Sequence, residues 1–406
     1  MKIKKRSFEL YSWLGENRKL LYISVIINLL IFQYPGFFRH TFLFRYIRLI
    51  QTSISFASIY LAIKYYRKNK FLQIVSLFYI VFALSTLINR GSLSSYIFYF
   101  TSSYGFLVTS ILFFQIDHKR FFSITSKYLF VVLLVHSLTI LFMADGLLVI
   151  DTVNGLEKPV FFFGEANQSV IYVFVYFMVI LMNYLYRKTK LNRNMLFVGG
   201  VLSIISIVLS KSETSYIGAL AFALIYLVML YLDNKFSILH SRKIINRIIL
   251  TAFAGIILVN ILVLLFRVQV LMPNLWNKFF SNDITFSGRT FIWDEAINIL
   301  EKHPLLGLGA IDGRYIYIAR VGRFFDSHNL FLQIYLMSGV IGLSLNLKLI
   351  VDTMFKASFS KHRELYILSI AAIISASIMF LLEFYSLQII FFLYLMIQLY
   401  SIRIID

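Results

Sequence analysis

Long apolar stretches alternate with short polar connections along almost the whole chain. A membrane-spanning helix needs about 20 mostly apolar residues, and barrel strands are excluded because they alternate apolar with polar positions over about 10 residues. The last apolar run is too long for one span and must fold back into two helices, with Glu383 at the turn. The pattern predicts twelve helices, at about 20–38, 43–63, 71–88, 95–115, 127–149, 168–186, 194–210, 214–232, 247–267, 328–349, 364–383 and 385–402.

This pattern predicts an all-α fold, a polytopic membrane helical bundle with one large extracytoplasmic loop that contains short helices. We divide the chain into residues 1–267 with about nine spans, the loop 268–327, and residues 328–406 with about three spans. The loop concentrates polar and basic residues that the rest of the chain avoids. Candidate chemistry is therefore sought there first.

Composition and charge refine this prediction. Only 14 % of residues are charged, whereas soluble domains carry roughly 25 %. The net charge of +20 would suggest nucleic acid, but 26 of the 39 lysines and arginines fall on one side if the N-terminus is cytoplasmic. This is the positive-inside distribution. We therefore expect no nucleic-acid partner, both termini in the cytoplasm and the 268–327 loop outside. Separately, the lack of cysteine excludes thiolate metal sites and disulfides.

The loop contains a predicted helix over residues 287–302, with Ser287 as its N-cap. Arg289 and Trp293 lie on one face of this helix, and Pro304 ends it. An arginine in the first turn opposes the helix dipole unless it has an anionic partner. That partner is either a ligand or a local carboxylate.

Three further arginines, Arg314, Arg320 and Arg323, follow in the same loop and are interleaved with Tyr315. The guanidinium group donates two parallel hydrogen bonds to phosphate oxygens. A cluster outside the membrane therefore indicates an anionic ligand, and the alternative is a solvated basic loop.

His328 opens the predicted tenth span and follows Asp326. A helix N-terminus favours the neutral imidazole, which is a competent general base, and Asp326 is the expected orienting group. The alternative is a capping role at the interface. No Asp-x-Asp sequence occurs, and Asp294 and Glu295 are adjacent and so point to different helix faces. We expect no metal site.

The order of these motifs resembles the domain shared by O-antigen ligases and Wzy-type polysaccharide polymerases. The resemblance covers about residues 288–342, and the rest of the chain matches only in topology. It implies a fold like that of the metal-independent GT-C glycosyltransferases. The motifs are Gly288-Arg289, Trp293, His303-Pro-Leu-Leu-Gly-Leu-Gly309, His328-Asn329-Leu-Phe-Leu-Gln333 and Gly339-Val-Ile-Gly342.

The resemblance implies glycosyl transfer from an undecaprenyl-diphosphate-linked glycan at the outer face of the bacterial cytoplasmic membrane, with no cofactor. His328 and Arg289 correspond to the family's catalytic residues, and Trp293 and Tyr315 are expected to stack on sugar rings. One motif departs from the family pattern, because residues 210–215 lack the expected arginine. The diphosphate is then expected to contact the loop arginines or members of a second basic set, namely Lys211, Arg45, Arg48 and Arg90.

Three functions remain open at this point. The altered 210–215 junction favours a polymerase that moves a glycan onto another lipid-linked repeat unit. The alternatives are ligase-like transfer to a different acceptor, and a flippase for lipid-linked oligosaccharides, which the low charge within the spans disfavours. The resemblance implies lipid-linked donor and acceptor as partners within the membrane lipid, together with chain-length regulator and flippase proteins.

Overall fold

The chain is described by a computed structural model over residues 17–65, 68–143, 145–151, 157–237, 241–267, 289–318, 323–360 and 362–402. Thirteen α-helices make up most of these residues, with a 3-10 helix at Gly36–His40. In chain order the helices are α1 Arg18–Phe32, α2 Leu43–Tyr65, α3 Lys70–Ile88, α4 Leu93–Ile116, α5 His118–Phe142, α6 Ala166–Tyr186, α7 Lys190–Ser210, α8 Glu213–Phe236, α9 Arg242–Leu264, α10 Arg289–Lys302, α11 Leu330–Ala357, α12 Arg363–Leu382 and α13 Leu387–Tyr400.

Within these residues, ten helices are long and apolar enough to cross a membrane, and two shorter apolar helices correspond to α1 and α13. Together they occupy the twelve positions predicted from hydropathy, and the remaining helix is α10 in the loop. The predicted all-α, polytopic membrane fold is confirmed. The protein is a multi-pass membrane protein. Helix α13 has 14 residues, so its length is about 21 Å at a rise of 1.5 Å per residue.

Several predicted helix ends are shifted by local capping. The fifth span was expected at 127–149, but α5 begins at His118 because the Asp117 carboxylate accepts from the Arg120 backbone N–H at 3.0 Å. The first span was expected to reach residue 38, but α1 ends at Phe32, shortly before Pro35. Proline disfavours helical geometry in the residue that precedes it.

Two small antiparallel sheets, which the hydrophobic pattern did not predict, lie in the connections between helices. Strands β1 (Leu148–Asp151), β2 (Glu157–Phe161) and β3 (Gly164–Glu165) pair in that order, with Leu148 opposite Val160. Strands β4 (Ile316–Ile318) and β5 (Arg323–Phe325) form a hairpin with Ile316 opposite Phe325. Strands this short carry too few alternating positions to be recognised from periodicity.

Contacts divide the chain into two compact units. The first unit contains α1, α2, most of α4, α5 to α7 and β1 to β3. The second unit contains α3 and α8 to α12 with β4 and β5, and every residue of the candidate site described below belongs to it.

Helix α11 is broken at Gly339, whose φ of 64° and ψ of −169° are not helical. The segment 304–308, which follows α10, satisfies the backbone groups freed by this break. The Leu308 N–H donates to the Leu336 carbonyl at 2.7 Å, and the Val340 N–H donates to the Pro304 carbonyl at 3.0 Å. Backbone polar groups at membrane depth require such partners. The glycine-rich part of the 303–309 motif therefore has a structural role in the second unit.

Glycine is required on both sides of this contact. A Cβ atom at Gly339 would lie 2.1 Å from the Leu305 carbonyl oxygen, and one at Gly307 would lie 2.5 Å from the Leu336 carbonyl oxygen. Both residues also have positive φ angles, which glycine adopts without steric cost. This contact between Gly339 and the segment 304–308 holds α11, which begins two residues after His328, against the chain that follows α10.

Candidate active site

Three segments meet at the candidate site: the first turn of α10, the residues just before α11, and the end of α12. They bring Arg289, His328 and Glu383 together. His328 and Arg289 were predicted from the sequence as the catalytic pair. Glu383 was predicted only as part of the turn between the last two spans.

His328 and Glu383 form a close pair, with 2.9 Å between the imidazole Nδ1 and the carboxylate Oε1. The Phe384 backbone N–H donates to the same carboxylate oxygen at 3.2 Å. The Glu383 side chain is 10 % exposed and that of His328 is 33 % exposed. The carboxylate is therefore buried, whereas the imidazole reaches the surface of the described structure.

Arg289 binds the same end of α12. Its guanidinium donates to the Leu382 carbonyl and lies 3.4 Å from the second carboxylate oxygen of Glu383. The local carboxylate that an arginine at a helix start requires is thus Glu383. Among the described residues, two of the five guanidinium N–H groups make these contacts, which leaves donors that can bind an anion. The arginine side chain is 20 % exposed.

The charges around Glu383 determine its protonation. Burial by itself raises the pKa of the Glu383 carboxyl, but the hydrogen bond and positive charge of His328, the charge of Arg289 and the Phe384 N–H together lower it below its ordinary value. The carboxylate is therefore ionised at neutral pH and can only accept hydrogen bonds. When the imidazole is neutral, the adjacent carboxylate places its proton on Nδ1, which leaves the Nε2 lone pair available to accept a proton.

The imidazole is oriented by Glu383 rather than by Asp326, which corrects the sequence prediction. Asp326 instead lies 3.6 Å from the Arg314 guanidinium Nε. Burial raises the pKa of the Asp326 carboxyl, while Arg314 and His328 act in the opposite direction. His328 also does not open the helix. It lies two residues before α11 and has a φ of 47°, so Asn329 is the N-cap.

Asn329 fixes the position of the His328 loop. Its side-chain oxygen accepts from the Leu332 backbone N–H at 2.9 Å and caps α11, and its amide group donates to the Leu381 carbonyl at 3.1 Å and to Asn260 at 3.3 Å. Asn329 therefore joins the start of α11 to the end of α12 and to α9. Since Leu381 lies two residues before Glu383, the same side chain sets the spacing of the His328–Glu383 pair.

Trp293 and Tyr315 are buried, which gives no support to their predicted role in sugar stacking. The Trp293 side chain is 1 % exposed and its indole N–H donates to the Ser327 carbonyl at 2.8 Å. The Tyr315 hydroxyl donates to the Gly309 carbonyl at 2.7 Å. Both ring systems are packed within the second unit. Trp293 holds the residue next to His328, and this contact explains its place in the motif.

The predicted phosphate-binding residues are only partly brought together. Arg314 is half-exposed and adjoins the site through Asp326. Arg320 lies outside the described residues, and of Arg323 only the backbone, in β5, is described. Arg90 lies in the second unit, exposed and with a φ of 53°. Their part in phosphate binding stays a prediction.

The other predicted basic residues lie in the first unit. Arg48 donates to the Gln51 side chain at 2.5 Å and to the Thr101 hydroxyl at 2.8 Å, so it is paired within that unit. Arg45 is exposed near the start of α2. Lys211 is exposed and caps α7 in the left-handed conformation, with a φ of 51°. Their predicted contacts with a diphosphate remain untested.

Glu383 is the residue of the candidate site that sequence reasoning missed. It is the only charged residue between Glu364 and Arg403, within the apolar run that forms the last two helices. Ionisable residues in such segments are costly and commonly functional. This signal was present in the sequence, but His328, which Glu383 contacts, lies 55 positions away along the chain.

Comparison with known proteins gives one family match. Residues 198–347 match the sequence model of the family described as O-antigen ligase. The resemblance predicted from the loop motifs is confirmed, and the matched region begins within α7 and ends within α11. Arg289 and His328 lie inside the matched region, whereas Glu383 lies beyond it. The search of curated proteins finds no match to this chain.

Proposed function

We propose that the protein is a polysaccharide polymerase. In this proposal it transfers an undecaprenyl-diphosphate-linked glycan onto another lipid-linked repeat unit at the outer face of the bacterial cytoplasmic membrane. The observation that carries the proposal is the His328–Glu383 pair with Arg289 on the second carboxylate oxygen. A carboxylate-oriented imidazole beside a guanidinium suits deprotonation of a hydroxyl next to an anionic leaving group. The similarity to the O-antigen ligase family supports glycan transfer as the reaction class.

The reaction begins when the Nε2 atom of His328 accepts the proton of the acceptor hydroxyl. The hydroxyl oxygen attacks the anomeric carbon, its new bond to that carbon forms, and the bond from the anomeric carbon to the diphosphate oxygen breaks. The lipid diphosphate leaves with the bonding electron pair. Attack from the opposite side in one step inverts the anomeric centre. The proton on His328 then returns to solvent.

Each side chain has a separate part in this step. A positioned general base contributes about 10² to 10⁴ in rate. Glu383 holds the tautomer and stabilises the imidazolium that forms, in the same way as a carboxylate behind a catalytic histidine. The remaining N–H donors of Arg289 stabilise the diphosphate, and Arg314 adds positive charge nearby. The proposed chemistry uses no metal ion.

Ligase-like transfer to a different acceptor is the second candidate, because the matched family is described as O-antigen ligase. Both reactions use the same base and the same leaving group. They differ in the acceptor of the glycan. The altered junction at residues 210–215, where lysine stands in place of the expected arginine, is the reason for preferring the polymerase.

Purified protein incubated with a lipid-diphosphate repeat unit tests the proposal. A ladder of longer lipid-linked glycans is expected, and His328→Ala and Arg289→Ala should each abolish it at normal protein levels. His362→Ala is the matched control, since this exposed histidine lies at the other end of α12. Transfer only to a different acceptor would identify a ligase. Normal ladders from both site variants would refute the assigned roles.

A further inference from the structure

The hairpin of β4 and β5 carries two aromatic side chains on one face. Tyr317 lies directly opposite Phe324 in the register of the two strands, and their ring centroids are 4.8 Å apart. Tyr317 is 46 % exposed and Phe324 is 56 % exposed, whereas the neighbouring Ile316 is fully buried. Because side chains alternate between the two faces of a strand, one face of the hairpin packs into the second unit and the other presents the rings. Tyr317 and Phe324 thus form an exposed aromatic platform.

The position of the aromatic platform indicates a binding surface. Exposed apolar side chains on the membrane-spanning helices are expected to face lipid, but the platform lies between α10 and α11, in the loop predicted to be extracytoplasmic. Paired apolar rings that are exposed outside the spans are typical of an interaction site. Trp293 and Tyr315, from which sugar stacking was first expected, are buried, and the platform supplies accessible rings in the same loop instead.

The aromatic platform adjoins the candidate active site along the chain. Asp326 follows β5 directly and precedes His328 by two residues. Burial raises the pKa of the Asp326 carboxyl and the charge of His328 opposes this rise, so the two side chains are within electrostatic reach of each other. Arg314 lies 3.6 Å from Asp326, and both side chains are partly exposed. Accessible rings, an arginine and a carboxylate therefore lie on the chain that runs into the imidazole.

This combination of side chains suits a carbohydrate. The C–H groups on one face of a sugar ring pack against an aromatic face, whereas the hydroxyl groups at the ring edge need hydrogen-bond donors and acceptors. Arg314 supplies donors only, and an ionised Asp326 carboxylate supplies acceptors only, so the pair can bind hydroxyl groups in both ways. A lipid acyl chain would gain from the rings but not from the charged pair.

We propose that the aromatic platform binds a sugar ring of the acceptor repeat unit. The inference rests on the proposed function, which supplies a glycan acceptor whose hydroxyl must reach His328. In an inverting step the acceptor approaches the anomeric carbon from the side opposite the diphosphate. Arg289, at the start of α10, is assigned to the diphosphate, whereas the platform belongs to the chain that runs into His328. The platform therefore serves the acceptor, and a ring bound there holds the attacking hydroxyl in position.

Removing one ring at a time tests the proposal. Tyr317→Val and Phe324→Val remove the rings but keep a residue type that favours strands, and Tyr317→Phe keeps the ring as the control at the same site. Phe236→Leu, a second control, removes a ring that is 61 % exposed at the end of α8, outside the hairpin. The acceptor probe is the repeat unit as an octyl glycoside, which has no diphosphate and can therefore accept a glycan but not donate one.

With either valine variant, the KM for the octyl glycoside should rise about three- to tenfold, which is the range expected for loss of one ring contact. The KM for the lipid-diphosphate donor, measured with excess glycoside, should equal that of the unaltered protein, because the donor is held elsewhere. Tyr317→Phe and Phe236→Leu should change neither value. An acceptor KM that is the same in all of these proteins, with ladders still forming, would overturn the platform and leave the polymerase intact.

Photolabelling of the unaltered protein in vesicles requires neither a folded variant nor turnover. An octyl glycoside of the repeat unit with a diazirine on its sugar should label the β4–β5 hairpin, and the unmodified glycoside should compete with it. Lack of competed labelling there would overturn the proposal. Labelling of the hairpin by a diazirine-bearing phosphatidylglycerol, without competition by the glycoside, would identify a membrane contact and would overturn it as well. Competed glycoside labelling without any ladder would retain the platform and refute the polymerase.

Discussion

Replacing Glu383 by glutamine is the most direct perturbation of the proposed chemistry. The change keeps the size of the side chain and removes its negative charge. In the present structure the carboxylate accepts from His328 Nδ1 and lies beside Arg289. A glutamine amide can either accept from Nδ1 or donate to it. The second arrangement places the imidazole proton on Nε2, where it prevents proton abstraction from the acceptor.

The magnitude follows from the geometry of the pair. Two unit charges about 4 Å apart attract by about 4 kcal/mol at an effective dielectric constant of about 20. The His328 side chain is 33 % exposed. Solvent screening therefore reduces the value, and we take about half of it, about 2 kcal/mol. This energy stabilises the imidazolium formed during transfer, so its loss predicts about a 30-fold decrease in kcat. The unfavourable tautomer adds to the decrease.

The assay is the initial rate of ladder formation by purified protein at a saturating concentration of lipid-linked repeat unit. Glu295→Gln is the matched control, because it makes the same charge change on α10 at a residue whose described contact is with Asn298. Glu383→Asp keeps the charge but shortens the side chain, and should fall between the two. A kcat for Glu383→Gln within about threefold of the control would refute the proposed role of Glu383.

Three other outcomes follow from the same structure. Arg289→Lys should lower kcat/KM at least about tenfold, because an ammonium cannot reproduce the planar donor geometry of a guanidinium; unchanged kinetics would contradict diphosphate binding there. Gly339→Ala should lower the free energy of unfolding by about 1–3 kcal/mol or more, measured as a lower melting temperature, because the added Cβ would meet the Leu305 carbonyl oxygen. Gly255→Ala is the control and should leave the melting temperature unchanged, because a Cβ there has nothing within 4 Å. The fold lowers the pKa of the Glu383 carboxyl, so the ionised carboxylate stabilises the protein above the ordinary pKa of 4.5, and this stabilisation is lost as pH falls through the lower folded value. The difference in melting temperature between the unaltered protein and Glu383→Gln should therefore narrow below that pH. A difference that stays constant with pH would contradict the ionised pair.

The sequence by itself determined the fold class, the positions of the spans and two of the three residues at the site. Each span is encoded by a local apolar run, and the loop helix is encoded by a local stripe that Pro304 ends. Such signals need no knowledge of distant contacts. Arg289 and His328 could be named because their motifs lie within one short region of the chain.

Tertiary structure decided what those residues contact. It placed Glu383 against both His328 and Arg289, buried Trp293 and Tyr315, and broke α11 at Gly339 against the segment that follows α10. None of these pairings has a local signature, because each depends on how separate helices pack. Hydropathy reports which residues leave water, whereas the orientation of an imidazole depends on a carboxylate that packing brings to it from another helix.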